Sequence, residues 1–201
     1  MSLSAMRVTP PSGTAVDPDW ALIQRMAAGE TAALDELYAQ HGRRIFGYLL
    51  TLLRDNRVLA EEVLQDVMLA AWENAANFRG DSKVRTWLLV IARNRALNSQ
   101  RKRAPLLVEL DDNLTGHDDE TGPLERVQRQ DEGAALRRAI ETLPVPHQTV
   151  LVLVFYQQLS GVEVAQVLGI SEGTVKSRLH RAKAALRRAL HMMGETDEDD
   201  T

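Results

Sequence analysis

Residues 160–190, SGVEVAQVLGISEGTVKSRLHRAKAALRRAL, constrain this chain more than any other stretch. Their caps, turn glycine and apolar spacing specify a short helix, a three-residue turn and a longer second helix. Ser160 is placed to N-cap the first helix, with Val162, Ala165 and Leu168 on one side, and Gly169 supplies the left-handed residue that ends it. Ser171 can cap the second helix, where Val175, Leu179, Ala182 and Leu186 recur at steps of three and four and are expected to pack inward. That leaves Lys176, Ser177, His180 and Arg181 facing outward, flanked by Lys183, Arg187 and Arg188. A major groove about 12 Å wide admits one helix, and cationic or hydroxyl side chains near its N-terminal half reach base edges there. A basic amphipathic helix is more often a solvated surface. Here the small Ala165, the turn glycine and the second cap occur together, which favours a DNA-reading helix-turn-helix. GISEGTVKS resembles a phosphate-binding loop only faintly, because no glycine stands immediately before Lys176 and Glu172 would put a negative charge in the nest.

The chain has 201 residues and a formal net charge of −4, which is unexpected for a DNA-binding protein until the charge is divided along the sequence. From Arg79 to Arg103 eight cations (Arg79, Lys83, Arg85, Arg93, Arg95, Arg101, Lys102 and Arg103) face one acid, Asp81. The next stretch holds Glu109, Asp111, Asp112, Asp118, Asp119, Glu120 and Glu125 among Pro105, Gly116, Gly122 and Pro123. That composition cannot bury a core and predicts a flexible acidic linker between two small domains. The acids of the linker read first as solubilising, and alternatively as a cover for a basic face. The ending ETDEDDT predicts a disordered acidic tail. The chain has no cysteine, in keeping with a reducing compartment. The first sixteen residues hold no apolar stretch of signal-peptide length, and the run Val150–Tyr156 is too short to span a bilayer. A cytoplasmic protein with no membrane insertion is expected.

Residues 18–103 read as helices throughout, broken at Gly29, Asp55-Asn56 and Arg79-Gly80-Asp81. A helix over 57–77 would pack through Val63, Val67, Ala70 and Ala71 and expose Glu61, Glu62, Gln65, Asp66 and Glu73, either as a docking face or as a solvated one. The next helix, from 82 or 83 to 102, alternates Trp87, Leu88, Ile91 and Ala92 with Arg85, Arg93, Asn94, Arg95 and Asn98. One side is expected to be buried and the other to face a polyanion, with Trp87 read as a core anchor before a base-stacking platform. Phe78 and the polar turn Arg79-Gly80-Asp81-Ser82 stand just ahead, where a loop can receive an extruded base.

The run LAEEVLQDVMLAAWENAANFRGDSKVRTWLLVIARNRALNSQRKR, followed after a linker by LPVPHQTVLVLVFYQQLSGVEVAQVLGISEGTVKSRLHRAKAALRRAL, resembles the extracytoplasmic-function (ECF) group of bacterial sigma factors. The similarity spans nearly all of residues 19–190, with two motif blocks in the family's order. It implies a dissociable subunit of bacterial core RNA polymerase that recognises promoter DNA and helps open it, with no catalytic residue, no cofactor and no metal, and with an anti-sigma factor as a possible further partner. By this resemblance Gln65 and Asp66 would bind the polymerase clamp. Phe78, Arg79, Asp81, Ser82 and Asn94 would hold a flipped base of the minus-ten element, and Lys176, Ser177, His180 and Arg181 would read the minus-thirty-five element.

The expected fold is all-α. It comprises a disordered segment 1–17, a sigma region 2 domain 18–103, an acidic linker 104–131, a sigma region 4 helix-turn-helix domain 132–192 and an acidic tail 193–201. One local conflict stands against it: Val150-Leu-Val-Leu-Val-Phe-Tyr has the composition of a buried strand. A helix is preferred there because no second convincing strand could pair with it, and Leu143-Pro144-Val145-Pro146 can start one. The main rival function is a helix-turn-helix regulator that is not a polymerase subunit, though such a protein has no need of the Phe78–Arg103 block. A helical protein that binds an acidic partner is a further rival. His41, His117, His147, His180 and His191 form no metal-ligand spacing, and no nucleophile and base can be paired, which argues against an enzyme.

Overall fold

The structure, a computed structural model, describes residues 17–103 and 135–198. Among these residues all regular structure is helical, and the backbone divides into two compact units. The expected acidic linker and most of the expected N-terminal segment lie outside the described residues.

The N-terminal unit is built on α1 (Trp20–Ala27), α2 (Thr31–Leu52), α3 (Arg57–Asn74) and α4 (Val84–Arg103). In α1 the apolar residues Trp20, Leu22, Ile23 and Met26 are buried, and Gly29 at φ +88 turns the chain into α2. Helix α2 buries Leu37, His41, Ile45, Tyr48, Leu49 and Leu52 at steps of three and four, and packs against both α1 and α3. Each such large side chain fully removed from water contributes about 1.5–3 kcal/mol. At the surface Arg25 bridges Glu30 (2.8 Å) and Glu36 (2.9 Å). The hydrogen bonds to Glu36 and then Glu30 hold the guanidinium above its ordinary pKa, and Arg25 in turn holds the Glu36 carboxyl below its own.

The predicted break at Asp55-Asn56 is a turn in which Arg54 (φ 53) and Asp55 (φ 58) are left-handed, and the Asn56 side chain accepts from the Leu59 amide at 3.0 Å to cap α3. The packing stripe of α3 contains the expected Val63, Val67, Ala70 and Ala71, joined by Leu59, Ala60, Leu64 and Met68. The helix expected over 57–77 stops at Asn74 and tightens into a 3-10 turn at Ala75–Asn77. This change re-aims the chain before the polar loop, in which Gly80 takes φ +73. The buried side of α4 is Val84, Leu88, Leu89, Ala92 and Ala96.

The C-terminal unit holds a short helix at 135–141 (α5), α6 (Val145–Leu151), α7 (Gly161–Leu168) and α8 (Glu172–Glu198). Pro144 precedes α6 and Pro146 sits in its first turn, where a missing amide hydrogen costs nothing. The β-branched run is helical, as preferred, because Thr149, Val150, Leu151 and Leu153 are buried and α6 packs on α8. Its end relaxes into a π-helical turn over Val152–Tyr156, closed by the Gln157 amide donating to the Val152 carbonyl at 2.9 Å.

Two expectations are corrected here. The buried face of α7 is Val164, Val167 and Leu168, while Val162 is 59% exposed and Ala165 half-buried, so Leu168 holds its expected place and the stripe is turned by about 100°, one residue. The acidic ending from Glu195 was expected to be disordered, yet α8 continues to Glu198.

Candidate nucleic-acid interface

In the C-terminal unit, the helix-turn-helix is held by local bonds at both of its corners. The Ser160 amide donates to Glu163 Oε2 (2.8 Å) and the Glu163 amide to Ser160 Oγ (3.3 Å), a reciprocal capping box. Gly169 at φ +65 lets the Ile170 amide reach back to the Ala165 carbonyl at 3.1 Å, which satisfies the last turn of α7. The Thr174 amide then donates to Ser171 Oγ at 3.2 Å, capping α8. Val175 and Ala182 are buried and Leu179 and Leu186 half-buried, which fixes the rotation of α8 about its axis.

With that rotation fixed, Lys176, Ser177, His180 and Arg181 are all exposed on one face, as are Lys183, Arg187 and Arg188 further along. Arg181 lies back along the helix, with Nη2 3.4 Å from Ser177 Oγ, and Ser177 Oγ donates to the Thr174 carbonyl at 3.1 Å. These are long, exposed contacts that a guanidinium can exchange for a base edge or a phosphate. Lys183 Nζ sits 5.2 Å from the centre of the Phe155 ring, a residue of the π-helical turn.

In the N-terminal unit the polar loop and the start of α4 enclose a cleft of about 500 Å³ lined by Asn74, Asn77, Phe78, Arg79, Asp81, Ser82, Trp87 and Ile91. That volume falls in the range of roughly 300–1,000 Å³ typical of small-molecule sites. Four of the five residues expected at a captured base meet here, namely Phe78, Arg79, Asp81 and Ser82. Asn94 does not line the cleft; it is exposed on α4, one turn beyond Ile91. Phe78 is 8% exposed, with its ring 4.7 Å from Trp87 and 5.5 Å from Trp20, so it forms a wall and has little free face. Trp87 is only half-buried, and the core-anchor reading gives way to a ring shared between core and cleft.

Asn74 and Asn77 escaped the sequence reading. Their place at the end of α3 gave no signal, and the cleft exists only once the 3-10 turn brings them opposite Ser82 and Trp87. The basic character of α4 is also less uniform than its composition suggests: Arg95, Arg101, Lys102 and Arg103 are exposed, but Arg85 and Arg93 are half-buried. Arg93 acts on the buried phenol of Tyr48, whose pKa burial raises and the Arg93 charge partly lowers.

On α3 the side chains of Gln65 and Asp66 are exposed, as are Glu61 and Glu62. Two aliphatic residues missed by the sequence reading, Val58 (77%) and Leu69 (55%), are exposed with them. Positions 58, 62, 65 and 69 fall on one helical face.

Residues 37–105 match the family model for sigma-70 region 2, and residues 133–186 that for sigma-70 region 4. The ECF RNA polymerase sigma factor SigL of Mycobacterium tuberculosis is 34% identical over 182 residues, covering 88% of this chain and 99% of SigL. The chain belongs to the ECF sigma-factor family. Among solved structures, CnrH in complex with the cytosolic domain of CnrY is 26% identical with a TM-score of 0.62, covering 87% of this chain and 97% of CnrH. The sigma factor RpoE of Bartonella quintana, solved with the anti-sigma factor NepR, shares the fold at 22% identity with a TM-score of 0.61, covering 78% of this chain and 96% of that one. As a sigma factor the chain directs core RNA polymerase to promoter DNA and is an initiation factor, not an enzyme. Among the described residues of this sigma factor no helix is long and apolar enough to cross a membrane.

Proposed function

We propose that this sigma factor divides promoter recognition between its two units: α8 reads duplex DNA through Lys176, Ser177, His180 and Arg181, and the cleft at Phe78–Ser82 holds one extruded base of the minus-ten element. The observation that carries this reading is the cleft itself, whose apolar wall of Phe78, Trp87 and Ile91 faces the amide, carboxylate, guanidinium and hydroxyl groups of Asn74, Asn77, Asp81, Arg79 and Ser82. A flipped base needs that combination, a ring to stack on and polar groups for its edge. Asn94 stands outside the cleft lining, so its proposed contact is with the sugar-phosphate backbone leading to the base.

Energy supports the division of labour. Unstacking DNA costs about 1.4 kcal/mol per base-pair step, and a bidentate base contact supplies about 1–3 kcal/mol of discrimination. One chain cannot hold open a bubble of roughly ten steps, about 14 kcal/mol, without the polymerase channel around the remaining single strand.

The polymerase-binding face in this reading is α3 around Gln65 and Asp66, where Val58 and Leu69 add apolar area to the acids. The domains in this reading are 17–103 and 132–192, and the place of action is the cytoplasm, where the polymerase works. Since the Bartonella relative was solved with an anti-sigma factor, a restraining protein partner is proposed for this chain as well. The test is transcription in vitro with purified bacterial core polymerase on a promoter library, with and without the full chain. Enrichment of a shared two-element promoter supports the reading, and initiation from no promoter overturns it. Asp66→Lys is expected to abolish the enrichment by loss of polymerase association.

A further inference from the structure

The start of α4, which carries Trp87 into the cleft, is tied to a residue far back in the chain. The Val84 amide donates to Asp17 Oδ2 at 2.8 Å, across 67 residues of sequence. The other oxygen of the same carboxylate, Asp17 Oδ1, accepts the Asp19 amide at 2.8 Å. Asp19 Oδ2 in turn lies 2.8 Å from His41 Nε2, and both side chains are largely buried. A single path of hydrogen bonds thus runs from the middle of α2, through the turn at 17–19, to the first residue of α4.

One residue further on, Trp20 is 8% exposed and its ring lies 5.5 Å from Phe78, on which Trp87 packs at 4.7 Å. Helix α1 also packs on the 3-10 turn Ala75–Asn77, which supplies another part of the cleft rim. The two sides of the cleft are therefore fixed from behind by one short segment. Its polar member sets the start of α4, and its aromatic member fills the space behind Phe78.

We infer that Asp17 and Trp20 are positioning residues for base capture: they touch no DNA, and they set the distance between the Phe78–Ser82 loop and Trp87. The inference rests on the cleft being the base site. A site held within a fraction of an ångström loses discrimination when its supporting contacts loosen, even if the fold survives. Residues 1–17 were expected to be a disordered segment, and Asp17 is corrected here to a member of the helical unit.

The experiment uses the full chain with bacterial core polymerase and a forked promoter fragment taken from the library selection, with a single abasic site scanned through its unpaired strand. The readout is the ratio of affinities for the intact fragment and for the abasic fragment with the largest loss. The wild type is expected to show a clear ratio. In Asp17→Ala the ratio falls about fivefold, the weight of one helix cap, and in Trp20→Ala it falls as well, while polymerase binding stays unchanged. Trp20→Phe, which keeps a ring behind Phe78, restores most of it. Should Asp17→Ala lose helical circular dichroism, Asp17→Asn takes its place: its single acceptor oxygen can serve only one of the Asp19 and Val84 amides and turns an NH2 group toward the other, so the ratio is expected to fall there too. Variants that lose affinity equally for intact and abasic DNA, or keep the wild-type ratio, overturn the positioning role. A wild type without base dependence at any position overturns the cleft reading beneath it.

Discussion

The rings of Phe78 and Trp87 pack with centroids 4.7 Å apart and planes inclined by 32°, and this pair joins the end of the α3 segment to the first turn of α4. Phe78 is thus spent mainly on shaping the cleft.

Phe78→Ala is accordingly expected to impair promoter opening more than initial duplex binding. Permanganate reactivity of the melted strand should drop severalfold, while gel-shift affinity of the polymerase complex for closed duplex changes little. Footprints equal to wild type would remove Phe78 from the opening step.

Lys176→Ala and Arg181→Ala should each weaken promoter-specific initiation by about 1–3 kcal/mol if they contact bases, and leave polymerase association intact. A phosphate contact behaves otherwise: it weakens binding to all sequences alike and lowers the salt slope by about one. Titrations against specific and scrambled promoter DNA at several salt concentrations separate the two. Loss of polymerase association in both variants would contradict the assignment of α8 to DNA.

Gly169→Ala isolates a backbone effect. A Cβ at Gly169 would meet nothing within 4 Å, so no clash arises, and the whole cost comes from φ +65. A destabilisation of about 1 kcal/mol is expected, read as a lower melting temperature of the full chain. An unchanged melting temperature would mean that the turn does not need its left-handed residue.

Tyr48 is fully buried, and among the described residues its hydroxyl has no hydrogen-bond partner. Burial raises the folded pKa above the value near 10 of an unfolded tyrosine. The associated stability is therefore whole below about pH 10 and is lost as pH climbs past it toward the folded value. Tyr48→Phe should melt no lower than wild type at neutral pH and should lose part of the alkaline decline. A variant less stable by more than about 1 kcal/mol would show that the hydroxyl is satisfied in solution.

The helix-turn-helix was legible in the sequence because its determinants are local: Ser160 and Glu163, Gly169, and Ser171 act within three or four residues of themselves. The phase of α7 was not, since Val162, Val164 and Val167 offer two apolar faces and only packing chooses between them. The loop of the cleft could be read from Phe78 to Ser82, but Asn74, Asn77 and the supports Asp17 and Trp20 could not. Their place depends on a change of helix type and on a bond between residues far apart in the chain. Asn94 was drawn into the base site by resemblance, and its position on α4 lies beyond the lining.

The reach of Asp17 to Val84 bears on how this sigma factor can be cut. The region 2 match opens at residue 37, inside α2, yet a recombinant piece starting there would strip away Trp20, Leu22, Ile23 and Met26 and leave the helices they cover wetted. The smallest piece that retains a formed cleft begins no later than Asp17, so the boundary of recognisable similarity and the boundary of a self-sufficient fold differ by a whole helix.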